Sequence, residues 1–417
     1  MNAYQFRVFG AGAVMALLAF AVLAFGAVDL WALVTFEVAV FVVAAVFVVR
    51  IVQGALPLVW NPFYVPLGVA ILWTAAQSRL GLSVYPYQTG LEALKWFVYG
   101  LLFAIAAHVF TDPAIRRGFR LAVIWFGFAL CLFGLIQKYT SPGFIYWSVR
   151  IVDGRVFGPF VNGNHFAALL ELILPLALIK ATERSEQSVI YAAVSLVLLA
   201  STVLTGSRAG AVLAAAETVV VLLVRAASLS RTRQRDRRRA WVLTGGAMIS
   251  LAAVAWLSTS SSVLREHFEE QQPYAVRWSV VQSTWRLFLA RPWTGFGAGT
   301  FEHVYPSAAQ FDLGLFWTHA HNDPLELAME WGIAGPLVLV GILGLLVRRR
   351  WPVEIWLQVV LPAVTLLAHS LVDFPLQIPA VAALWLLTLA MLPASVSVRP
   401  TAPTAPVKGG RLQEVST

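Results

Sequence analysis

Apolar runs long enough to cross a bilayer follow one another along almost the whole chain. Their cores, at residues 9–28, 30–49, 62–77, 91–110, 118–137, 164–182, 188–204, 209–225, 240–257, 329–347, 354–372 and 376–393, give about twelve spans. A hydrocarbon layer of ~30 Å takes ~20 residues of helix to cross. Backbone amides find no water in that layer, so helices and closed barrels are the only spanning forms. The runs are continuous rather than alternating, which selects helices. The expected fold is therefore an all-α polytopic membrane protein. Of the 417 residues, 59% are hydrophobic and only 12% charged, against about 25% charged in soluble domains. A soluble multidomain chain is excluded on that ground. Arg7 followed by a long uncharged run imitates a secretory leader, but no small-residue cleavage site follows it, so the segment reads as a retained first helix.

One stretch breaks the pattern. Residues 258–323 are polar and rich in Arg, His and Trp, and they end in Trp317-Thr318-His319-Ala320-His321-Asn322-Asp323-Pro324 before an apolar helix resumes. The chain divides accordingly. Residues 1–257 carry spans one to nine, 258–328 form a long loop ending in a candidate catalytic segment, 329–393 carry the last three spans, and 394–417 form a tail. That tail is rich in Pro, Thr, Ala and Gly, a composition expected to be disordered.

Charge placement orients the spans. With the N-terminus in the cytoplasm, the even-numbered spans end beside Arg116-Arg117, Lys180 and Arg184, the run Arg225 to Arg239, and Arg348-Arg349-Arg350. This is the positive-inside pattern, and it places both termini in the cytoplasm. It also accounts for the net charge of +9 without any nucleic-acid partner. Four segments then face the outer side: Ser78–Gly90, Tyr139–Asn164, Thr205–Arg208 and Ser258–Asp323. The residues able to do chemistry lie on or beside these four. The single cysteine, Cys131, falls in an apolar run, so an internal disulfide is impossible and a cysteine metal site is not expected.

Arg208, in Thr205-Gly206-Ser207-Arg208-Ala209-Gly210, sits at an outer turn where the topology rule disfavours arginine. A guanidinium there can hold a phosphate bidentately, and the flanking small residues let helices approach closely. Arg277 opens a stretch in which Val281, Trp285 and Phe288 recur at helical spacing, an amphipathic helix lying on the membrane or on other helices. Arg286 and Arg291, on the same stretch, read as solvated or snorkelling side chains. Gly295-Phe296-Gly297-Ala298-Gly299-Thr300 lacks the strand and lysine of a phosphate loop and reads as a flexible turn. His319-Ala320-His321-Asn322-Asp323 has two functional readings. The pattern His-x-His-x-Asp suits zinc, but no further His or Cys cluster completes a site. The alternative is a general base on an alcohol, oriented by Asn322, Asp323 or Glu326. An ordinary helix cap explains Asp323-Pro324 but not the paired histidines. Glu92 and Lys95, one turn apart, read as a pair. His165, beside Asn164, and Asp373 read as supporting residues on the outer side, and Glu171, Glu217, Glu330 and His369 complete the intramembrane polar set.

At these residues the chain resembles the O-antigen ligase and O-antigen polymerase superfamily of bacterial membrane glycosyltransferases. The resemblance rests on Asn-Gly-Asn-His-Phe-Ala at 162–167, Thr-Gly-Ser-Arg-Ala-Gly at 205–210, Arg277, and Gly-Phe-Gly-Ala-Gly-Thr-Phe at 295–301. It continues through His-Asn-Asp-Pro-Leu-Glu-Leu-Ala-Met-Glu-Trp-Gly at 321–332 and His-Ser-Leu-Val-Asp-Phe at 369–374. The resemblance implies metal-independent, inverting glycan transfer at the periplasmic face of the bacterial inner membrane, with no cofactor. The implied donor is a glycan on undecaprenyl diphosphate, and the acceptor is a hydroxyl of a glycan, a lipid A core or a protein. Carried over by motif, Arg208 and Arg277 hold the diphosphate and His321 is the base, with His319, Asn322, Asn164 and His165 as substrate-binding positions. The rival reading is a transporter of a lipid-linked or anionic solute. It calls for polar breaks at mid-membrane repeated between the two halves, and no internal repeat is present.

Overall fold

The computed structural model describes residues 2–151, 155–230, 241–246, 248–249, 252, 272–310, 316–348 and 351–396. The arginine run at 231–239, most of the expected span at 240–257, the start of the long loop and residues 397–417 lie outside them. The first half carries α1 (Ala3–Leu23), α2 (Leu30–Val52), α3 (Tyr64–Arg79), α4 (Pro86–Val109), α5 (Pro113–Thr140), α6 (Gly163–Glu171), α7 (Leu174–Thr182), α8 (Ser188–Leu204) and α9 (Arg208–Ser230). Then come α10 (Gln272–Ala290), α11 (Phe301–Val304), α12 (Asp323–Trp331), α13 (Ala334–Arg348), α14 (Val353–His369) and α15 (Pro379–Ala390). Strand is confined to two short pairs. Phe144–Ile145 (β2) folds back on Val149–Arg150 (β3), and Val59–Trp60 (β1) pairs with Ser395–Val396 (β4). The last pairing fastens the start of the expected tail to the segment before α3.

Six described helices, counting α6 and α7 as one, are long and apolar enough to cross a membrane, and α8, α13, α14 and α15 are shorter apolar helices. The all-helical membrane class stands, while the figure of about twelve spans is met only in part. The lipid-facing side is plain on α2, where Val38, Val42 and Val49 are each more than half exposed. A stripe of that kind would be a docking or aggregation surface in water; in a bilayer it is the solvated face. By contrast, 89% of the α6–α7 window is buried in protein, and every residue of α15 is buried. These two elements are the central staves, and the other helices stand around them.

Local chemistry sets the ends and breaks. Asp112 caps α5 by accepting from the Ala114 and Ile115 amides (2.8 and 3.2 Å), with Pro113 at the first helical position, where its missing N–H costs nothing. Pro175 and Pro362 each remove an intrahelical bond and crowd the carbonyl four residues back. α6 and α7 part just before Pro175, and α14 winds as a π-helix over Trp356–Val360 just before Pro362. Buried hydroxyls at Thr74, Ser195, Thr202 and Thr218 bond to the carbonyl four residues earlier, so they cross the apolar layer already paired.

The long loop is bolted to the bundle. Gln77, fully buried at the end of α3, donates to the Thr294 and Glu330 carbonyls (2.7 and 2.8 Å) and accepts from the Ala298 amide (3.2 Å). The Phe296 and Gly297 amides donate to the Met329 and Glu330 carbonyls (3.1 and 2.8 Å). The glycine-rich turn expected to be flexible is thus a rigid joint. Gly295 has φ +66° and runs so close to α12 that an added Cβ would lie 2.2 Å from the Glu330 carbonyl oxygen. A satellite core of Val280, Leu287, Phe301, Tyr305, Ala320 and Met329 seals the loop against α10 and α12. The amphipathic helix expected after Arg277 is present, but its packed stripe is Val280, Thr284 and Leu287, while Trp285 is half exposed. The buried face is shifted because α12 offers Met329 to that side.

Gly295→Ala is expected to cost about 1–3 kcal/mol, because backbone in this region tolerates no Cβ. A lowered thermal unfolding midpoint of the detergent-purified chain would show it, with Gly12→Ala, whose added Cβ meets nothing within 4 Å, as the neutral reference.

Candidate functional site

Polar groups separate to the two ends of the bundle. At one end Arg225 pairs with Glu354 and donates to Thr182 (2.9 Å), Lys180 pairs with Glu183 (2.6 Å), and Arg116 donates to the Met391 carbonyl (3.1 Å). At the other end lie the starts of α6 and α9, the end of α14 and the approach to α12. Basic residues expected on one side of the membrane therefore fall together, opposite Arg208.

At that second end a cavity of about 520 Å³ is walled by Arg155, Arg208, Arg277, Asn164, His321 and Asp373, with Val212, Trp278, Val281, Leu371 and Val372 as its apolar side. Arg208 is the first residue of α9. The Ser207 hydroxyl accepts from the Gly210 amide (3.1 Å) and the Thr205 hydroxyl from the Ser207 amide (3.1 Å), which tightens the turn. The helix N-terminus adds its own partial positive charge to the guanidinium. Glycines set the spacing around it. A Cβ on Gly210 would lie 2.6 Å from the Ala167 Cβ, and one on Gly163 would lie 2.6 Å from the Thr205 carbonyl oxygen. That close approach of α6 to α9 brings Asn164 to the cavity that Arg208 faces. Arg277, half-buried on α10, closes the far side with no hydrogen bond or ion pair among the described residues.

The segment before α12 is held from both flanks. Asn322 caps α12 by accepting from the Leu325 amide (2.9 Å), and its own amide group donates to the Leu371 carbonyl (2.8 Å). Asp323 accepts from the Leu376 amide (3.0 Å). His321 takes φ +53°, a left-handed conformation that costs a non-glycine residue about 1–3 kcal/mol and persists where its surroundings impose it. Its Nδ1 meets Asp373 Oδ1 at 3.3 Å, and Asn164 donates to the other oxygen of the same carboxylate. Burial alone pushes the Asp373 carboxyl up; the His321 hydrogen bond, with the His321, His165 and His369 imidazoles, outweighs it and holds the group below the usual carboxylate range. An ionised carboxylate only accepts. His321 Nδ1 therefore carries a hydrogen, which leaves Nε2 as the ring nitrogen free to exchange a proton with a ligand.

The two histidines part company. His319 Nδ1 meets Glu326 Oε1 at 2.8 Å, while Glu326 Oε2 accepts from the Ala320 amide at 2.6 Å. Its ring stacks on Phe374 (4.4 Å, 28°), whereas His321 and His165 meet the same ring edge-on (both 4.9 Å). His319 lines a different cavity, and His165 is buried behind Phe374 rather than on the wall of the first. With His319, His321 and Asp323 turned to separate partners, the zinc-like pattern has no convergent donor set, and no group of three His, Cys, Asp or Glu among the described residues is placed to hold a metal ion. The structure adds Arg155 to the cavity and promotes Asp373 from support to direct partner of His321. Arg155 carries no motif. Its carbonyl accepts from the Gly163 amide (2.7 Å), which ties it to the start of α6.

Residues 193–340 match the family model described as O-antigen ligase. The matched segment runs from α8 into α13 and contains Arg208, Arg277, His319 and His321; Arg155, Asn164 and Asp373 lie outside it. No curated protein matches the chain.

A carboxylate depressed in the fold stabilises it above the unfolded value near 4, and that contribution is lost as pH falls through the folded value. Asp373→Asn is expected to lose about 1–3 kcal/mol at neutral pH. Chemical unfolding across a pH series should show the wild-type advantage intact at about pH 5 and shrinking below about pH 4.

Proposed function

We propose, from the place of residues 193–340 in the O-antigen ligase/polymerase superfamily, that this membrane glycosyltransferase moves a glycan from undecaprenyl diphosphate to an acceptor hydroxyl at the periplasmic face of the inner membrane. The observation that carries the reading is the division of one cavity. Three guanidiniums and a helix N-terminus lie along it, and His321 stands on its wall with Asp373, which Asn164 holds.

The chemistry follows from that division. The donor's diphosphate lies between Arg208, Arg277 and Arg155, and the polyprenyl chain leaves along Val212, Trp278 and Val281. The acceptor hydroxyl attacks the anomeric carbon from the face opposite the diphosphate. Its proton passes to His321 Nε2 as the new C–O bond forms, and the bond from the anomeric carbon to the phosphate oxygen breaks. The glycosidic configuration inverts, and the lipid diphosphate departs with the electron pair. Guanidiniums already in place stabilise that charge without reorganising, an effect worth about 10²–10³-fold per donor group. Asp373 keeps His321 in the accepting tautomer and steadies the imidazolium that forms. Asn164 in turn fixes Asp373.

Reconstitution with an undecaprenyl-diphosphate-linked glycan tests this. Arg208→Ala and Arg277→Ala are each expected to lower transfer about 10²–10³-fold, and His321→Ala about 10²–10⁴-fold, with chelator present or absent. If transfer survives His321→Ala but not His319→Ala, the base is misassigned. Full activity in both arginine variants would remove the diphosphate clamp.

A further inference from the structure

The mechanism above leaves a second cavity unused. It encloses about 370 Å³ on the His319 side of Phe374, between the α1–α2 turn, α4 and the start of α11. Its walls are rich in carboxyls where the first is rich in guanidiniums. Glu92, Glu302, Glu326 and Glu330 face it against one ammonium, Lys95, and that lysine is already paired with Glu92 at 2.7 Å. A diphosphate that seeks three guanidiniums next door is repelled here.

From this cavity a narrow cleft continues towards α13 and α15, sharing Glu92, Lys95, Glu330 and Gln377 with it. Two buried polar atoms on its walls have no hydrogen-bond partner among the described residues: Asp323 Oδ1, on a residue 0% exposed, and Tyr99 Oη, on one 3% exposed. Burial, with the Glu326 charge beside it, pushes the Asp323 carboxyl well up. The cleft thus offers groups able to donate as well as accept, a match to hydroxyls, which do both. Leaving such atoms unpaired is unfavourable, so a ligand that pairs them is favoured. His319 reinforces the match. Glu326 engages Nδ1, and the partly exposed ring leaves its other nitrogen free to bond a hydroxyl.

We infer that this second cavity holds the acceptor saccharide, recognising its uncharged hydroxyls through Gln88, Glu302 and His319, while the donor occupies the arginine-walled cavity. The inference rests on the glycosyl-transfer reading. Phe374 stands between the two chambers with His319 stacked on one face and His321 at its edge. One ring thus touches both His319, which lines the second cavity, and His321, which lines the first. Sorting by charge keeps the two glycans, alike in their sugars, from exchanging places.

The experiment uses the full chain in nanodiscs. The donor is the undecaprenyl-diphosphate-linked glycan extracted from the host, and the acceptor is the host's lipid-anchored core saccharide, intact in one arm and delipidated in the other. Glu302→Gln and Gln88→Ala lie outside the donor machinery. Each is expected to raise the acceptor KM about tenfold, the worth of a lost sugar hydrogen bond. Donor KM and the slow hydrolysis of donor without acceptor should stay unchanged, and both acceptor arms should be affected alike. An unchanged acceptor KM in both variants, or a matching rise in donor KM, overturns the assignment. An effect confined to the lipid-anchored arm also overturns it, by assigning the cavity to the lipid. Arg208→Ala separates the two claims: normal transfer there defeats the diphosphate clamp itself, whereas loss of transfer there beside normal Glu302→Gln kinetics defeats only the acceptor site.

Discussion

A chain in hydrocarbon has no solvent for its amides, and that constraint organises everything else here. Each span must pair its own backbone, so hydroxyls such as Thr74 and Thr202 turn back on their helices, and irregular backbone is driven to the bundle ends. The helix break before Pro175 survives because the α6–α7 segment is almost wholly surrounded by protein. Chemistry is then confined to boundaries where helix ends meet. One boundary collects Arg225, Lys180 and Arg116 with their partners; the other collects Asn164, Arg208, His321 and Asp373.

The second boundary works only because the long loop does not behave as one. Gln77 reaches from α3 to three backbone groups of the loop and α12, and glycines at 295, 297 and 299 allow contacts that no side chain would permit. The Glu326 carboxylate grips both His319 and the Ala320 amide. His321 is consequently presented in a strained conformation by a scaffold rigid enough to hold it, which is what electrostatic preorganisation requires.

Much of this was legible from the residues. Arg208 drew attention because an outer-side arginine runs against the topology rule, and the small residues around it announced the close approach that Gly210 makes to Ala167. The Glu92–Lys95 pair and the cap ahead of Pro324 followed from spacing alone, though Asn322 rather than Asp323 does the capping. Other features depended on distant chain. Arg155 sits in a loop with no periodicity to mark it. The face that α10 buries was fixed by Met329 of α12, not by its own pattern. The divergence of His319 from His321, two positions apart, depends on carboxylates at 326 and 373 and on Phe374 between them, and no local pattern encodes that. The count of about twelve spans is met in part by six long apolar helices among the described residues, with shorter ones such as α15 buried from every side.

Phe374 gathers three imidazoles on one ring, and that has a consequence for fidelity. The ring lies between His319, on the wall of one cavity, and His321, on the wall of the other. Water that leaked past it would compete with any alcohol for an activated anomeric carbon. An aromatic residue fills the gap without offering a hydrogen bond to water, and three flanking rings keep it from swinging aside. In a site open to the aqueous side of a membrane, the ratio of productive coupling to wasteful hydrolysis is then set by how firmly one apolar ring is seated.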